Sequence, residues 1–450
     1  MSNPRPTAPV VRPPRGLRKL RAAVGFLKSR FGSRPASASL RHVLTLLTGT
    51  GLAQLIALAA SPLLSRLYTP ENFGVFALYL SAVTLLAILA TGRYELAIVL
   101  PEDDDDARHL FALALFASLV VTAATLLAVL LWGDGLAARA GHAELSHWLY
   151  LLPLSVGLTA LVNTLSCWAN RQKQYPQLAL SRVVQTGASA AVTVGLGLGG
   201  WATSGLLLGS TLAQAVAAAM LAVPTRGALR APLRLERVRL RRLMRRYINF
   251  PRVNLPHALL DALQASALLG LMGAAFGSQV LGGYAFALRI ARIPLAMLGA
   301  SVGQVFQQRA AQIFNEGGDL AALARRTTLR LAWFAVPFVA LMLAAPALFG
   351  WAFGPIWREA GVYALILTPW MVLNFLSSPL SQLPLVVGRQ GQALAFGVAY
   401  QVSMLAPYAL AWALGWGVHA ALGVQSAASS VVLFGYGLWL HRLAGTVRAA

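Results

Sequence analysis

The chain has 450 residues, of which 57% are hydrophobic and only 11% charged, and its formal net charge is +23. A soluble domain carries about 25% charged residues, so a soluble globular fold is excluded. Apolar runs of the ~20 residues that cross a bilayer as a helix recur along the chain, without the roughly 10-residue alternation of a β-barrel. The expected fold class is therefore an all-α polytopic membrane protein. The positive charge is read as retention of loops on the inner side of the membrane, not as a nucleic-acid surface, and nucleic acid is not an expected partner.

In chain order, residues 1–15 are rich in Pro and Arg and predict disorder. From Leu17 the pattern changes: Leu17, Leu20, Val24, Leu27 and Phe31 share a helical face, flanked by Arg18, Arg21, Lys28 and Arg30. That predicts a basic amphipathic helix on an anionic membrane surface, with a solvated tail as the alternative. The charged stretch is too long for a cleavable signal peptide. Twelve spans are predicted at roughly 43–65, 73–92, 109–132, 147–170, 178–198, 204–223, 256–276, 282–306, 329–351, 361–386, 392–414 and 418–440. They group as a tail (1–42), a six-helix bundle (43–223), a basic linker (224–255), a second six-helix bundle (256–440) and a short tail (441–450). With the amino terminus inside, 32 of the 37 basic residues fall on the inner side and 3 outside, while Arg289 and Arg292 lie within a span. Both termini are thus expected in the cytoplasm, with the chain in a bacterial inner membrane.

The second span opens with Gly74-Val75-Phe76-Ala77-Leu78-Tyr79-Leu80 and the eighth with Gly282-Gly283-Tyr284-Ala285-Phe286-Ala287-Leu288. Both fit G-x-[FY]-A-x-x-L, a loose internal echo that points to two halves related by a pseudo-two-fold axis. Asp103 to Asp106 lie where negative charge complements the start of the third span; a divalent cation site there needs ligands from elsewhere. Cys167, the single cysteine, permits no internal disulfide and no cysteine metal cluster. The run 226–252 carries ten arginines and one acid, Glu236. These arginines either attract anionic membrane lipids or simply keep the linker inside.

Polar residues inside spans carry the most information, because lipid-facing helices can be apolar throughout. The fourth span ends with Asn163, Ser166, Asn170, Arg171 and Lys173, and the fifth carries Arg182, Gln185, Ser189 and Thr193 in a stripe. The seventh carries Asn254, His257, Asp261 and Gln264 at spacings of three, four and three, which places them on one face. Asp261 is the one acid assigned to the interior of a span. It is expected to be protonated, paired or in contact with water, and either lines a cavity or bonds to a neighbouring helix. Arg289 and Arg292 share a face of the eighth span and suit phosphate oxygens, unless they snorkel to the interface. The tenth span presents Asn374, Ser377, Ser378, Ser381 and Gln382, with Pro379 and Pro384 interrupting its backbone. Together these stripes predict a cationic lumen matched to an anionic headgroup. No P-loop and no metal-ligand spacing is present, so neither ATP hydrolysis nor a cofactor is expected. The longest outer segment, about 14 residues at 133–146, leaves no room for the external domain of a sugar polymerase.

Several segments resemble the oligosaccharide (O-antigen unit) flippases of the multidrug/oligosaccharidyl-lipid/polysaccharide exporter superfamily. They include Gly51-Leu52-Ala53-Gln54-Leu55 and the stretch Ser61-Pro62-Leu63-Leu64-Ser65-Arg66-Leu67-Tyr68-Thr69-Pro70-Glu71-Asn72-Phe73-Gly74. The most specific is Arg93-Tyr94-Glu95-Leu96-Ala97-Ile98-Val99-Leu100-Pro101. Phe250-Pro251, Pro294, Gln304-Val305-Phe306-Gln307-Gln308 and Phe353-Gly354-Pro355-Ile356-Trp357-Arg358-Glu359-Ala360-Gly361 also fit, whereas the long Pro/Arg-rich amino terminus departs from the usual short tail. The resemblance implies two six-helix bundles, alternating access and ion-coupled translocation of undecaprenyl-pyrophosphate-linked sugar units for surface polysaccharide synthesis. On that reading Arg289, Arg292 and Arg182 meet phosphate, and Asn254, His257, Gln264 and Asn374 meet sugar hydroxyls. Asp261, or else Glu95, carries the coupling ion. The expected partners are the lipid-linked oligosaccharide and anionic membrane lipids, with a polysaccharide polymerase and a chain-length regulator as further candidates. The rivals are a small-molecule or drug antiporter of the same superfamily, and a membrane enzyme or non-transporting scaffold of the same pathway.

Overall fold

The structure is a computed structural model that describes residues 38–139, 148–230, 236–387 and 389–446. The amphipathic helix expected at 17–31 lies outside the described residues. All regular elements among the described residues are helical, as a chain immersed in hydrocarbon requires: each backbone N–H and C=O must find its partner within its own segment.

The helices are α1 (Ala38–Leu67), α2 (Pro70–Thr91), α3 (Asp104–Arg139), α4 (Leu152–Arg171), α5 (Tyr175–Leu198) and α6 (Ala202–Arg230). After them come a short α7 (Arg237–Arg246), the long α8 (Leu255–Asn315), α9 (Leu320–Leu343), α10 (Ala345–Phe353), α11 (Arg358–Ser377), α12 (Gln390–Leu414) and α13 (Val418–Thr446). Among the described residues, ten stretches are long and apolar enough to cross a membrane by length and composition. One of them, Phe250–Gly299, is 50 residues long and contains Gly277, whose φ of 82° breaks α8 into arms 255–276 and 278–315. A further crossing, α5, falls short of that apolarity because Arg182, Gln185, Thr186, Ser189 and Thr193 dilute it. The twelve crossings form two six-helix bundles, α1–α6 and α8–α13, in an all-α polytopic membrane protein. An even number of crossings puts both ends of the described chain on one face, here called the basic face because α7 and its arginines lie there.

Local chemistry sets the helix ends. Thr69 caps α2 through the Asn72 amide while Asn72 Oδ1 accepts from the Thr69 amide, Pro70 follows at the first helical position, and Gly92 closes the helix with φ 57°. Asp319 caps α9 by accepting from the Ala322 amide at 2.9 Å. The helix therefore begins at Leu320, earlier than the apolar pattern suggests. The eighth crossing likewise runs on to Asn315, past the expected 306. Arg309, Arg325, Arg326 and Arg330 thus stand on helices and not in a loop. At the other extreme, α11 stops at Ser377, ahead of Pro379 and Pro384.

The bundles meet most closely at the face opposite the basic one. There α2 crosses the second arm of α8 at the two echoed glycines. A Cβ on Gly74 would lie 1.9 Å from the Ser278 carbonyl oxygen, and one on Gly282 would lie 1.6 Å from that of Pro70. Each glycine rests on the carbonyl four residues before the other, which is the signature of a local two-fold axis. Beside this crossing, Phe73, Phe286 and Trp357 stack edge to face or tilted, with centroids 4.2–5.3 Å apart. The fully buried Trp357 donates from Nε1 to the Ser65 carbonyl at 2.8 Å, tying the second bundle to α1. The molecule is closed at this face and open toward the basic one.

Candidate functional site: two cationic cavities

Two cavities open from the seam between the bundles toward the basic face. In the first bundle a cavity of roughly 610 Å³ is lined by α1, α2, α5 and α6, with polar groups from Thr50, Gln54, Arg182, Gln185 and Gln214. Arg289, on α8 of the second bundle, projects into it. In the second bundle a cavity of roughly 720 Å³ is bounded by α8 and α11, with Arg292, Gln307, Trp370, Asn374, Ser378 and Gln382 on its wall. The small residues Gly299 and Gly303 on α8 keep this wall open.

The sequence places these side chains by helical periodicity. Arg182, Gln185, Ser189 and Thr193 recur every three or four residues on α5, so one face of the helix is polar and turns into the cavity. Arg289 and Arg292 are only three apart, yet they enter different cavities because α8 runs along the seam between them. Both arginines keep accessible surface although they stand in the middle of a crossing and Arg289 is deeply enclosed by protein, as expected of groups that line internal cavities. Arg182 donates from Nη1 to Thr50 Oγ1 at 2.8 Å. The Arg292 guanidinium lies 5.3 Å from the centre of the Trp370 ring, a cation–π contact. Tyr400 holds that wall in place: its hydroxyl oxygen accepts from Trp370 Nε1 at 2.9 Å and from Asn374 Nδ2 at 3.1 Å. Among the described residues none of the three arginines has a carboxylate partner, and no Asp or Glu lines either cavity. The result is a positive, water-accessible interior.

The remaining nominated residues sit elsewhere. Asn254, His257 and Asp261 are exposed on the first arm of α8 and its preceding turn, Gln264 is half-buried, and none of them lines either cavity. His257 Nδ1 approaches Asp261 Oδ2 at 3.4 Å, so the acid has a partner one turn away. Glu95 is buried in the short 3₁₀ segment Tyr94–Val99 between α2 and α3, 3.6 Å from Arg93. Burial pushes its carboxyl above the usual range against the opposing pull of a Thr91 hydrogen bond and the Arg93 charge. One carboxylate oxygen, Oε2, has no partner among the described residues. Arg93 adopts a left-handed backbone, φ 62°, to turn this segment under the bundle.

Sequence reasoning did not find three features of the site. Trp370 and Tyr400, which orient Arg292 and Asn374, read as ordinary span residues. The aromatic closure by Phe73, Phe286 and Trp357 was visible only as pieces of separate motifs. The acidic run also gained a partner. Arg239 of α7 donates from Nε to Asp106 Oδ1 at 2.6 Å and from Nη2 to Asp103, and Arg171 bonds Asp104 at 2.8 Å. The Asp105 amide and then Arg239 hold the Asp103 carboxyl below its usual range. Asp103, Asp104 and Asp106 therefore clamp the linker and the end of α4 onto α3.

The sequence profile of the polysaccharide biosynthesis protein family matches residues 63–362, well over half the chain. No curated protein matches it. Among solved structures, the inward-facing conformation of a multidrug resistance MATE family transporter of the MOP superfamily superposes with a TM-score of 0.64 at 16% identity, over 87% of this chain and 95% of that one. The outward-facing conformation of such a transporter gives 0.57 at 15% identity, over 90% and 95%. A MOP superfamily transporter from Pyrococcus furiosus, described as having a binding pocket of reversed polarity that suggests a different function, also gives 0.57 at 15%, over 90% and 95%. The fold is the one these transporters share. With two thirds of its length matched and its two bundles folded as in these transporters, the chain belongs to the polysaccharide biosynthesis protein family.

Proposed function

We propose that the chain flips undecaprenyl-pyrophosphate-linked oligosaccharide units from the cytoplasmic to the outer leaflet of a bacterial inner membrane by ion-coupled alternating access, with the basic face cytoplasmic. One observation carries this reading: two cavities open to the basic face, furnished with three arginines that, among the described residues, lack a carboxylate partner, and with no acid among the described residues on their walls. A pyrophosphate brings the missing negative charge and the acceptor oxygens that forked guanidiniums bind best. Arg289 and Arg292, three residues apart on α8, would hold the headgroup across the seam, with Arg182 receiving it on the first-bundle side. Asn374 lines the cavity where sugar hydroxyls follow, and Asn254, His257 and Gln264 would meet them at the entrance along the first arm of α8. The lipid tail stays in the bilayer.

For the coupling ion we place Glu95 ahead of Asp261. Glu95 is buried with an unpartnered oxygen, whereas Asp261 is exposed and paired with His257. A drug antiporter of the same fold would carry cationic cargo, which these cavities repel. Replacing Arg289 and Arg292 together with alanine is expected to abolish surface polysaccharide in cells that depend on this gene, while protein levels hold. Normal polysaccharide output, or export of cationic dyes by the wild type, overturns the reading.

A further inference from the structure

A third concavity lies outside the two cavities, at the basic end of the second bundle. Its walls are the last turns of α8 and the first turns of α9, and its volume is roughly 740 Å³. Arg309 enters from α8, and Arg326 and Arg330 from α9. The last two are one turn apart and so stand one above the other, about 6 Å apart along the helix. Among the described residues none of the three has a carboxylate partner. Asp319 also borders the groove, but its carboxylate is engaged in capping the Ala322 amide. The apolar part of the wall is formed by Val302, Val305, Ile313 and Phe334. Val305 is 51% exposed and Phe334 is 53% exposed, Phe334 being one further turn along α9 from Arg330. The groove occupies a face of α8 about a quarter turn from the one that bears Arg292, Gly303 and Gln307, so it is separate from the transport cavity.

We infer that this groove is a binding site for an anionic phospholipid of the leaflet at the basic face, with the lipid phosphate between Arg309, Arg326 and Arg330 and an acyl chain along Val302, Val305 and Phe334. The order of the groups supports this occupant. Counting from the helix ends, Arg309 and Arg326 each lie about 9 Å in, Arg330 about 15 Å and Phe334 about 21 Å. The charge therefore lies toward the end of the helices and the aromatic ring deeper, the order in which a phospholipid presents phosphate and hydrocarbon. A dissolved phosphate matches the arginines but leaves the apolar wall bare. Arginines that merely kept a loop inside would project singly into water, without a common groove. The site goes beyond the transport reading, because its occupant is a resident of the membrane and not cargo.

The test uses the full-length protein in neutral detergent, given equal amounts of phosphatidylglycerol and phosphatidylcholine, with retained lipids counted by native mass spectrometry. The wild type is expected to retain phosphatidylglycerol in preference. The variant R309Q/R326Q/R330Q should lose that preference by about tenfold or more, since each arginine near a membrane surface is worth about 1 kcal/mol toward anionic lipid. R241Q/R245Q in α7 removes as much charge per residue from the basic face but should keep the preference. Excess inorganic phosphate should fail to displace the lipid. If the triple variant melts early in phosphatidylcholine nanodiscs, the single variants Arg326→Gln and Arg330→Gln must each still lower retention. The inference is overturned by equal retention of the two lipids, by unchanged retention in the arginine variants, by loss in the α7 control alone, or by displacement with phosphate.

Discussion

At the residue scale, Arg289, Arg292 and Glu95 bear the argument. A charge-assisted hydrogen bond is worth about 1.5–3 kcal/mol, so Arg289→Ala and Arg292→Ala should each slow headgroup transfer in a reconstituted flipping assay by roughly ten- to a hundredfold. Lysine at either position should restore only part, because it keeps the charge and loses the fork. Glu95 makes a prediction of opposite sense. Burial raises its carboxyl, so the folded protein holds that proton more tightly than the unfolded chain does. The associated stability is complete below the ordinary glutamate pKa of about 4.3 and is lost as pH rises through the raised value. Glu95→Gln mimics the protonated form. In thermal melts it should match the wild type at acid pH and exceed it at alkaline pH, and transport by the variant should lose its pH step. A difference between the two proteins that is constant with pH contradicts this. The arginines were legible in the sequence because charge in mid-span is rare and helical spacing assigns a face. The burial of Glu95 was not, since it depends on how the segment Tyr94–Val99 folds back under the first bundle.

At the element scale, the crossing of α2 over α8 holds the face opposite the basic one shut. Gly74→Ala or Gly282→Ala sets a methyl group against a backbone oxygen that cannot move alone, an overpacking that costs about 1–3 kcal/mol. Glu71 and Ser278 flank this crossing, with Ser278 Oγ 3.4 Å from Glu71 Oε1. In a C167S background, which removes the one native cysteine, E71C/S278C should cross-link readily and stop transport until reductant is added. Adding G74A should lower the cross-link yield; an unchanged yield shows that the glycines do not set the closure. The periodic pattern located the crossings well where a helix faces lipid along its whole length. It placed the start of α9 too late because Arg325, Arg326 and Arg330 interrupt the apolar run. The cap from Asp319, not apolarity, sets that end. The echo between 74–80 and 282–288 was visible in the sequence as a repeat; that its glycines pack on one another became visible only in the fold.

At the scale of the whole molecule, a closed aromatic face and two cavities open at the opposite face are, on the function proposed above, one end of an alternating-access cycle. On that reading, moving cargo requires Trp357 to release the Ser65 carbonyl and Phe73 to part from Phe286, so the closure must be stable yet breakable. Among the described residues it rests on ring contacts and glycine crossings and not on buried ion pairs, which fits that requirement. The fold class and a positive interior could be read from composition and from polar stripes. The division into two cavities could not, because it follows from the path of α8 along the seam. The most direct measurement is equilibrium binding of undecaprenyl pyrophosphate to the purified protein. Binding should weaken with added salt and fall at least about tenfold in Arg289→Ala and in Arg292→Ala, while a lipophilic cationic dye neither binds nor competes. Binding that ignores salt and both substitutions, or a protein that prefers the dye, would contradict the cationic-cavity account.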